Sequence, residues 1–359
     1  MTRLLMTADA VGGVWTYVLD LARALRPLGV EVTLALLGPA ADAARHDAAI
    51  AANVRVIETG LPLDWLAPDE AAVRDAGLQL AALVQREGVD LVQINQPALA
   101  AEPMPVPAIV AVHSCVATWW AAVEGTALPA DFRWQTALVR AGLARAAAVV
   151  CPSAAFAKAV QRSYALPLAP NVVHNGRTPL VAEPQPPQDV AFTAGRLWDR
   201  GKNLATLDRA AALLTVPLDA AGPLAGPHGE RIHLAHARAL GPLDEAALAE
   251  RLTHQPVFVS AAKYEPFGLA VLEAAQAGCP LVLSDIPTFR ELWDGAATFV
   301  QPDDAAGFAE AITALVADPV RRADLSAAVR QRAAPYTVDA MASGMAALYR
   351  DTLAQRAAA

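Results

Sequence analysis

The chain carries only three cysteines, Cys115, Cys151 and Cys279, far apart and without a Cys-x-x-Cys pair. That spacing argues against a disulfide framework or a thiolate metal site, and each thiol reads as a small apolar group in a reducing cytoplasm. No apolar run reaches the roughly 18–20 uncharged residues that a membrane-spanning helix needs. Asp9 and the glycines after it interrupt the apolar N-terminus, which reads as a first strand entering a turn, not a leader. Positive charge is also scarce. Acidic residues outnumber basic ones 36 to 28, giving a formal charge of −8, which disfavours nucleic acid as a partner. There is no Asp-x-Asp, no His/Cys cluster with ligand spacing, no Gly-x-Gly-x-x-Gly and no repeat of solenoid period.

What is abundant is apolar material, 55% of 359 residues, enough for two cores of ordinary domain size. Short apolar runs alternate with amphipathic stretches. The runs at Arg3–Thr7, Val32–Leu37, Val54–Glu58, Leu91–Asn95, Ala108–His113, Ala148–Cys151 and Asn171–His174 read as strands. Val14–Leu25, Ala71–Arg86 and Arg133–Ala146 read as helices between them. Strands separated by helices imply βαβ units and a parallel sheet covered on both faces. Residues 177–188 are proline-rich and read as a linker between domains spanning 1–176 and 189–335. After the linker the alternation resumes, with strands near Val190–Ala194, Leu218–Ala220, Arg238–Leu240, Val257–Ser260, Leu281–Leu283 and Thr298–Val300. Residues 336–359 form a closing helix that can pack back on the first domain. The fold class is therefore α/β, two doubly wound domains, whose ligands belong outside the strand C-terminal ends.

Three strand-to-helix turns carry the chemistry. In Tyr264-Glu265-Pro266-Phe267-Gly268-Leu269-Ala270-Val271-Leu272-Glu273, two glutamates flank a glycine turn at the start of a helix. The amides around Gly268, Leu269 and Ala270 face outward at a helix N-terminus, a setting that favours a diphosphate. Glu273, inside the helix, can accept from a ribose diol. In Gly195-Arg196-Leu197-Trp198-Asp199-Arg200-Gly201-Lys202, Arg196 can fork onto two phosphate oxygens and Lys202, or Arg200 in its place, adds a second cation. Fixed cations there would stabilise the charge that grows on a leaving diphosphate. The third turn, Asp9-Ala10-Val11-Gly12-Gly13, offers two glycines for a tight turn and the amides of the helix that follows.

With Pro-Phe-Gly-Leu inside a Glu-x7-Glu spacing, the second half resembles the family 4 glycosyltransferases, and the likeness extends weakly over most of the chain. The resemblance implies the GT-B architecture, two Rossmann-like domains facing a central cleft. It implies transfer from a nucleotide-diphosphate sugar with retention at the anomeric carbon, with no cofactor beyond that co-substrate and no metal. It gives Glu273 the ribose, Glu265 the donor sugar, and Arg196 and Lys202 the diphosphate. The backbone of Phe267, Gly268 and Leu269 lines the sugar and phosphate site, and Gly12 and Gly13 lie near the phosphates. His113, at the end of its strand, touches the donor sugar, while backbone around Leu243 reads the base and the turn at Gly222 covers the nucleotide. The chain departs from the family pattern at Ala261-Ala262 and after Asn175-Gly176.

The acceptor is a sugar, a lipid-linked group or another small molecule; no motif names it, the base or the donor sugar. Some relatives dock on membranes, but Arg133, Arg140 and Arg145 read as a solvated face, and the sequence specifies no oligomeric state. Trp119, Trp120 and Trp134 read as packing residues before acceptor platforms. The competing readings are a nucleotide-sugar epimerase or hydrolase on the same fold and a binding protein without activity.

Overall fold

The computed structural model describes every residue except Val11, Val181, Ala182, Pro184, His228 and Ala359. The chain divides into two units. The first comprises Met1–Ala121, Gly125–Gly176 and Thr337–Ala359; the second comprises Arg177–Tyr336 with the short segment Ala122–Glu124.

Unit 1 is built on seven strands: β1 (Thr2–Asp9), β2 (Val30–Leu37), β3 (Arg55–Glu58), β4 (Leu91–Ile94), β5 (Ala108–Ala111), β6 (Ala148–Cys151) and β7 (Asn171–Val172). Unit 2 has six: β8 (Ala191–Ala194), β9 (Leu218–Ala221), β10 (Arg238–Gly241), β11 (Val257–Ser260), β12 (Leu281–Ser284) and β13 (Ala297–Val300). The helices are α1 (Gly13–Leu25), α2 (Ala43–Ala51), α3 (Glu70–Glu87), α4 (Val116–Val123), α5 (Arg133–Arg145), α6 (Ala154–Tyr164), α7 (Leu204–Ala211), α8 (Glu245–Thr253), α9 (Leu269–Ala277), α10 (Pro287–Trp293), α11 (Ala305–Ala317), α12 (Pro319–Ala333) and α13 (Val338–Ala358).

Every strand pairing is parallel. The orders are β3-β2-β1-β4-β5-β6-β7 and β10-β9-β8-β11-β12-β13. Parallel strands covered on both faces must be apolar on both, and β4, β5 and β12 are buried along their whole length. The run expected over Asn171–His174 pairs as a strand only at Asn171–Val172. Chain order reverses between β1 and β4 and between β8 and β11, the switch points where doubly wound sheets open a crevice.

The final helix α13 belongs to unit 1. Met341, Ala342, Met345, Ala346 and Tyr349 join the core formed by α1, β1 and β2. Arg177, at the head of the proline-rich stretch, is no solvent-exposed linker residue but is buried in unit 2. Cys151 and Cys279 are buried as the sequence suggests, whereas Cys115 is half-buried with its thiol 2.9 Å from the Thr118 hydroxyl. Among the described residues no helix is long and apolar enough to cross a membrane.

Candidate active site

In unit 2 the site grows from the turns after β8 and β11, at the switch point. After β8 the chain passes Gly195 and Arg196 into a short turn of helix over Arg200–Lys202. The Asp199 carboxylate, itself buried, accepts from the Gly201 amide at 2.8 Å and meets the Arg196 guanidinium at 3.2 Å. The Gly201 carbonyl accepts from the amides of Lys263 and Tyr264 at 2.9 and 3.2 Å. Those two bonds lock the lysine turn to the glutamate loop, and Lys202 Nζ forms an ion pair with Glu265. Arg200, the alternative cation, has a side chain that is 69% exposed and pairs instead with Glu124 at 2.7 Å.

The loop after β11 turns at Gly268, whose φ of +95° is left-handed backbone that favours glycine. A methyl there would also lie 3.3 Å from Glu265 Cγ and 3.4 Å from Phe289. Gly268 caps α9 with no side-chain hydrogen bond, so the first-turn amides of Leu269 and Ala270 are available to an anion. Phe267 is buried, its ring edge-on to Tyr336 at 5.8 Å, so only its backbone can serve a ligand.

One turn into α9, Glu273 is buried rather than solvated. Arg177 Nε donates to its Oε1 at 2.7 Å, while Arg177 Nη2 pairs with Glu245. The Arg177 carbonyl accepts from Gln276 Nε2 at 2.9 Å. A carboxylate so held is presented in one orientation. Arg177 was invisible as a site residue because prolines crowd the sequence after it; the signal was a lone arginine directly following Asn175-Gly176.

Gly222, at the end of β9, has φ of +140° and donates its amide to Gly241 O at 2.8 Å. A Cβ at Gly222 would sit 1.8 Å from the Gly195 carbonyl, so the two turns meet backbone to backbone. Leu243 is half-buried, packed against the core that also holds Phe267 and Val271.

In unit 1, Gly12 is extended, at φ −148°, and caps α1, whose first residue is Gly13. Gly12 makes no side-chain cap to α1. Val11 lies outside the described residues.

His113 follows β5, half-buried, with the edge of its ring against Tyr17 at 4.5 Å and Nε2 2.9 Å from Asn95 Oδ1. Burial pulls its pKa down to about 4, so the imidazole is neutral near pH 7. Burial, with Asp9 adding to it, lifts Asp64 to about 6. Trp119 and Trp120 tilt against each other at 6.3 Å, and Trp120 packs on Phe132 at 5.5 Å and donates to Thr126, which fits a packing role. Among the described residues no group of three His, Cys, Asp or Glu is placed to hold a metal ion.

The depressed histidine has a stability consequence. Between its ordinary value of 6.5 and about 4, the unfolded chain binds a proton that the folded chain refuses. Its contribution is therefore complete above pH 6.5 and drains away as pH falls toward 4. In urea titrations, His113→Asn should gain on wild type across that window, by on the order of 2 kcal/mol after allowance for partial exposure. A pH-independent difference would show that the ring titrates normally.

The model of Glycosyltransferase Family 4 matches residues 11–179, and the model of Glycosyl transferases group 1 matches residues 230–332. The chain belongs to glycosyltransferase family 4. Among curated proteins, this family 4 member is 40% identical over 97 residues to glycogen synthase of Mycobacterium tuberculosis (strain ATCC 25618 / H37Rv), a match covering 26% of this chain and 23% of that protein. It is 33% identical over 117 residues to phosphatidyl-myo-inositol mannosyltransferase of Mycobacterium leprae (strain TN), covering 32% and 31%. The matched segments thus span about a quarter to a third of these relatives' lengths.

Solved structures share the GT-B fold over nearly the whole chain. Sucrose-phosphate synthase from Thermosynechococcus elongatus aligns at a TM-score of 0.79 with 19% identity, covering 99% of this chain and 100% of that one. Anabaena HepE, determined in complex with UDP, aligns at 0.73 with 16% identity, covering 98% and 100%.

Proposed function

We propose that this family 4 protein transfers a sugar from a nucleotide-diphosphate sugar to an acceptor hydroxyl, with retention of anomeric configuration and without a resident metal or cofactor. One observation carries the reading. Along one edge of unit 2, an uncapped helix N-terminus, the Lys202–Glu265 pair, and a buried carboxylate held by Arg177 are brought together by two hydrogen-bonded turns.

Each part has a role toward such a donor. Glu273 accepts from the ribose hydroxyls. The amides of Leu269 and Ala270, with Arg196 and Lys202, hold the diphosphate, and Glu265 meets the sugar. The bond from the anomeric carbon to the diphosphate oxygen breaks, and its electrons move onto that oxygen. Cations and amides already in place stabilise the growing charge without reorganising. The acceptor oxygen bonds to the anomeric carbon on the face the diphosphate leaves, and its proton passes to the departing phosphate oxygen. Anabaena HepE has been solved with UDP, and the curated relatives are named glycogen synthase and phosphatidyl-myo-inositol mannosyltransferase, which supports a donor of this class. Acceptors of the sugar, lipid-linked or small-molecule kind all remain compatible with these groups.

Thermal melting against a panel of nucleoside diphosphates and nucleotide sugars tests the reading. A ligand at a hundred times its Kd should stabilise the fold by about 2.7 kcal/mol, a rise of several degrees in Tm. No rise with any nucleoside diphosphate at millimolar concentration would sink it. Product formation from the bound nucleotide sugar without an acceptor would point instead to hydrolysis or epimerisation.

A further inference from the structure

Beneath His113 runs a chain of buried polar side chains that none of the roles above uses. Gln93 and Asn95 stand in and just after β4, with exposures of 0% and 5%, where a parallel strand ordinarily carries aliphatic residues. Buried amides of this kind persist when every member is bonded. Here the bonds have a direction, and it can be read from one end.

The end is the backbone carbonyl of Thr7 in β1, which can only accept. Asn95 lies 2.5 Å from it and must present its amide nitrogen, Nδ2. The same residue's backbone amide donates to the Thr7 hydroxyl at 2.8 Å, and that hydroxyl donates onward to Gln96 Oε1 at 2.7 Å. With Nδ2 committed, Asn95 Oδ1 faces the other way and has two lone pairs. One accepts from Gln93 Nε2 at 3.1 Å, and the other faces His113 Nε2 at 2.9 Å. Gln93 is fixed by the same logic: Nε2 also donates to the Tyr17 hydroxyl at 3.2 Å, and Oε1 accepts from the hydroxyl of Tyr349 on α13. No member can flip without setting two donors or two acceptors against each other inside the core, at a cost of about 1–3 kcal/mol for each group left unsatisfied.

From this geometry we propose that Asn95 is a positioning residue that holds His113 as the Nε2–H tautomer, so that the imidazole offers Nδ1 to a ligand as a hydrogen-bond acceptor only. The neutral ring has one N–H to give, and Asn95 takes it. Nδ1 has no hydrogen-bond partner among the described residues. A lone pair there favours a group that can donate, such as a hydroxyl, and disfavours a carboxylate or phosphate at the same position.

The tautomer can be read without any ligand. Long-range proton–nitrogen NMR of the full chain with ¹⁵N-labelled histidine, assigned by loss of the signal in His113→Asn, should show a protonated Nε2 and an unprotonated Nδ1 near pH 7.5. The opposite pattern, or a rapidly averaged pair, overturns the inference. Asn95→Ala, which removes the acceptor, should average the pattern. Should the alanine variant fail to fold, the wild-type spectrum still decides.

Discussion

Lys202→Ala is expected to lower kcat roughly 100- to 1,000-fold, with Arg200→Ala remaining near wild type. The magnitude is that of removing one preorganised group aimed at charge developing in a transition state. The contrast follows from two backbone bonds. The Gly201 carbonyl, tied to the Lys263 and Tyr264 amides, carries Lys202 to within an ion pair of Glu265 and leaves Arg200 with a largely exposed side chain. Because Glu265 keeps the ammonium in place, little side-chain freedom remains to be lost when a diphosphate arrives. Rapid-quench kinetics with saturating donor and acceptor separates the chemical step from product release. Equal losses from the two variants, or none from either, would remove Lys202 from the mechanism.

The second large effect is on the fold as well as the site. Arg177→Met takes the cation from a carboxylate that is only 10% exposed, and breaking a buried pair by removing one partner costs about 3–5 kcal/mol. Urea unfolding should show that loss, and the donor KM should rise because Glu273 is no longer aimed. Replacing both partners, Arg177→Met with Glu273→Leu, should restore most of the stability, since no charge is then left buried. It should not restore donor binding. This pattern separates the two duties of Glu273, packing and ligand recognition. A single variant as stable as wild type, with unchanged KM, would show that the pair is incidental.

The alternation of apolar runs and amphipathic stretches was enough to read two parallel sheets, because parallel strands are apolar on both faces and cannot be mistaken for half-exposed ones. The glutamate loop was equally legible: Gly268 stands at a left-handed turn before a helix, a position where few other residues serve. Arg177 was not legible. Its burial depends on Tyr336, Glu245 and Glu273, distant in sequence, while its neighbours read as a linker. Gln93 and Asn95 were passed over for a related reason. A period-based reading counts a polar residue in a strand as a weak point, yet here the polar run Gln93, Asn95, Gln96 was itself the signal of a buried network. Whether Lys202 or Arg200 binds the diphosphate was open in the sequence because a one-residue shift in a short turn swings a side chain to another side.

Unit 2 begins and ends at neighbouring points, with the Arg177 amide 3.3 Å from the Tyr336 carbonyl, so it is an insertion in unit 1. On the ribosome this inverts the usual order of completion. The first hundred and more residues emerge early, but the face of α1 that receives Met341, Met345 and Tyr349 stays uncovered until the last helix leaves the exit tunnel. The inserted unit, by contrast, has all of its own residues in hand before then. Newly made chains truncated just after Tyr336 should therefore hold a finished unit 2 and a unit 1 whose apolar α1 face lies open, the kind of surface that chaperones bind.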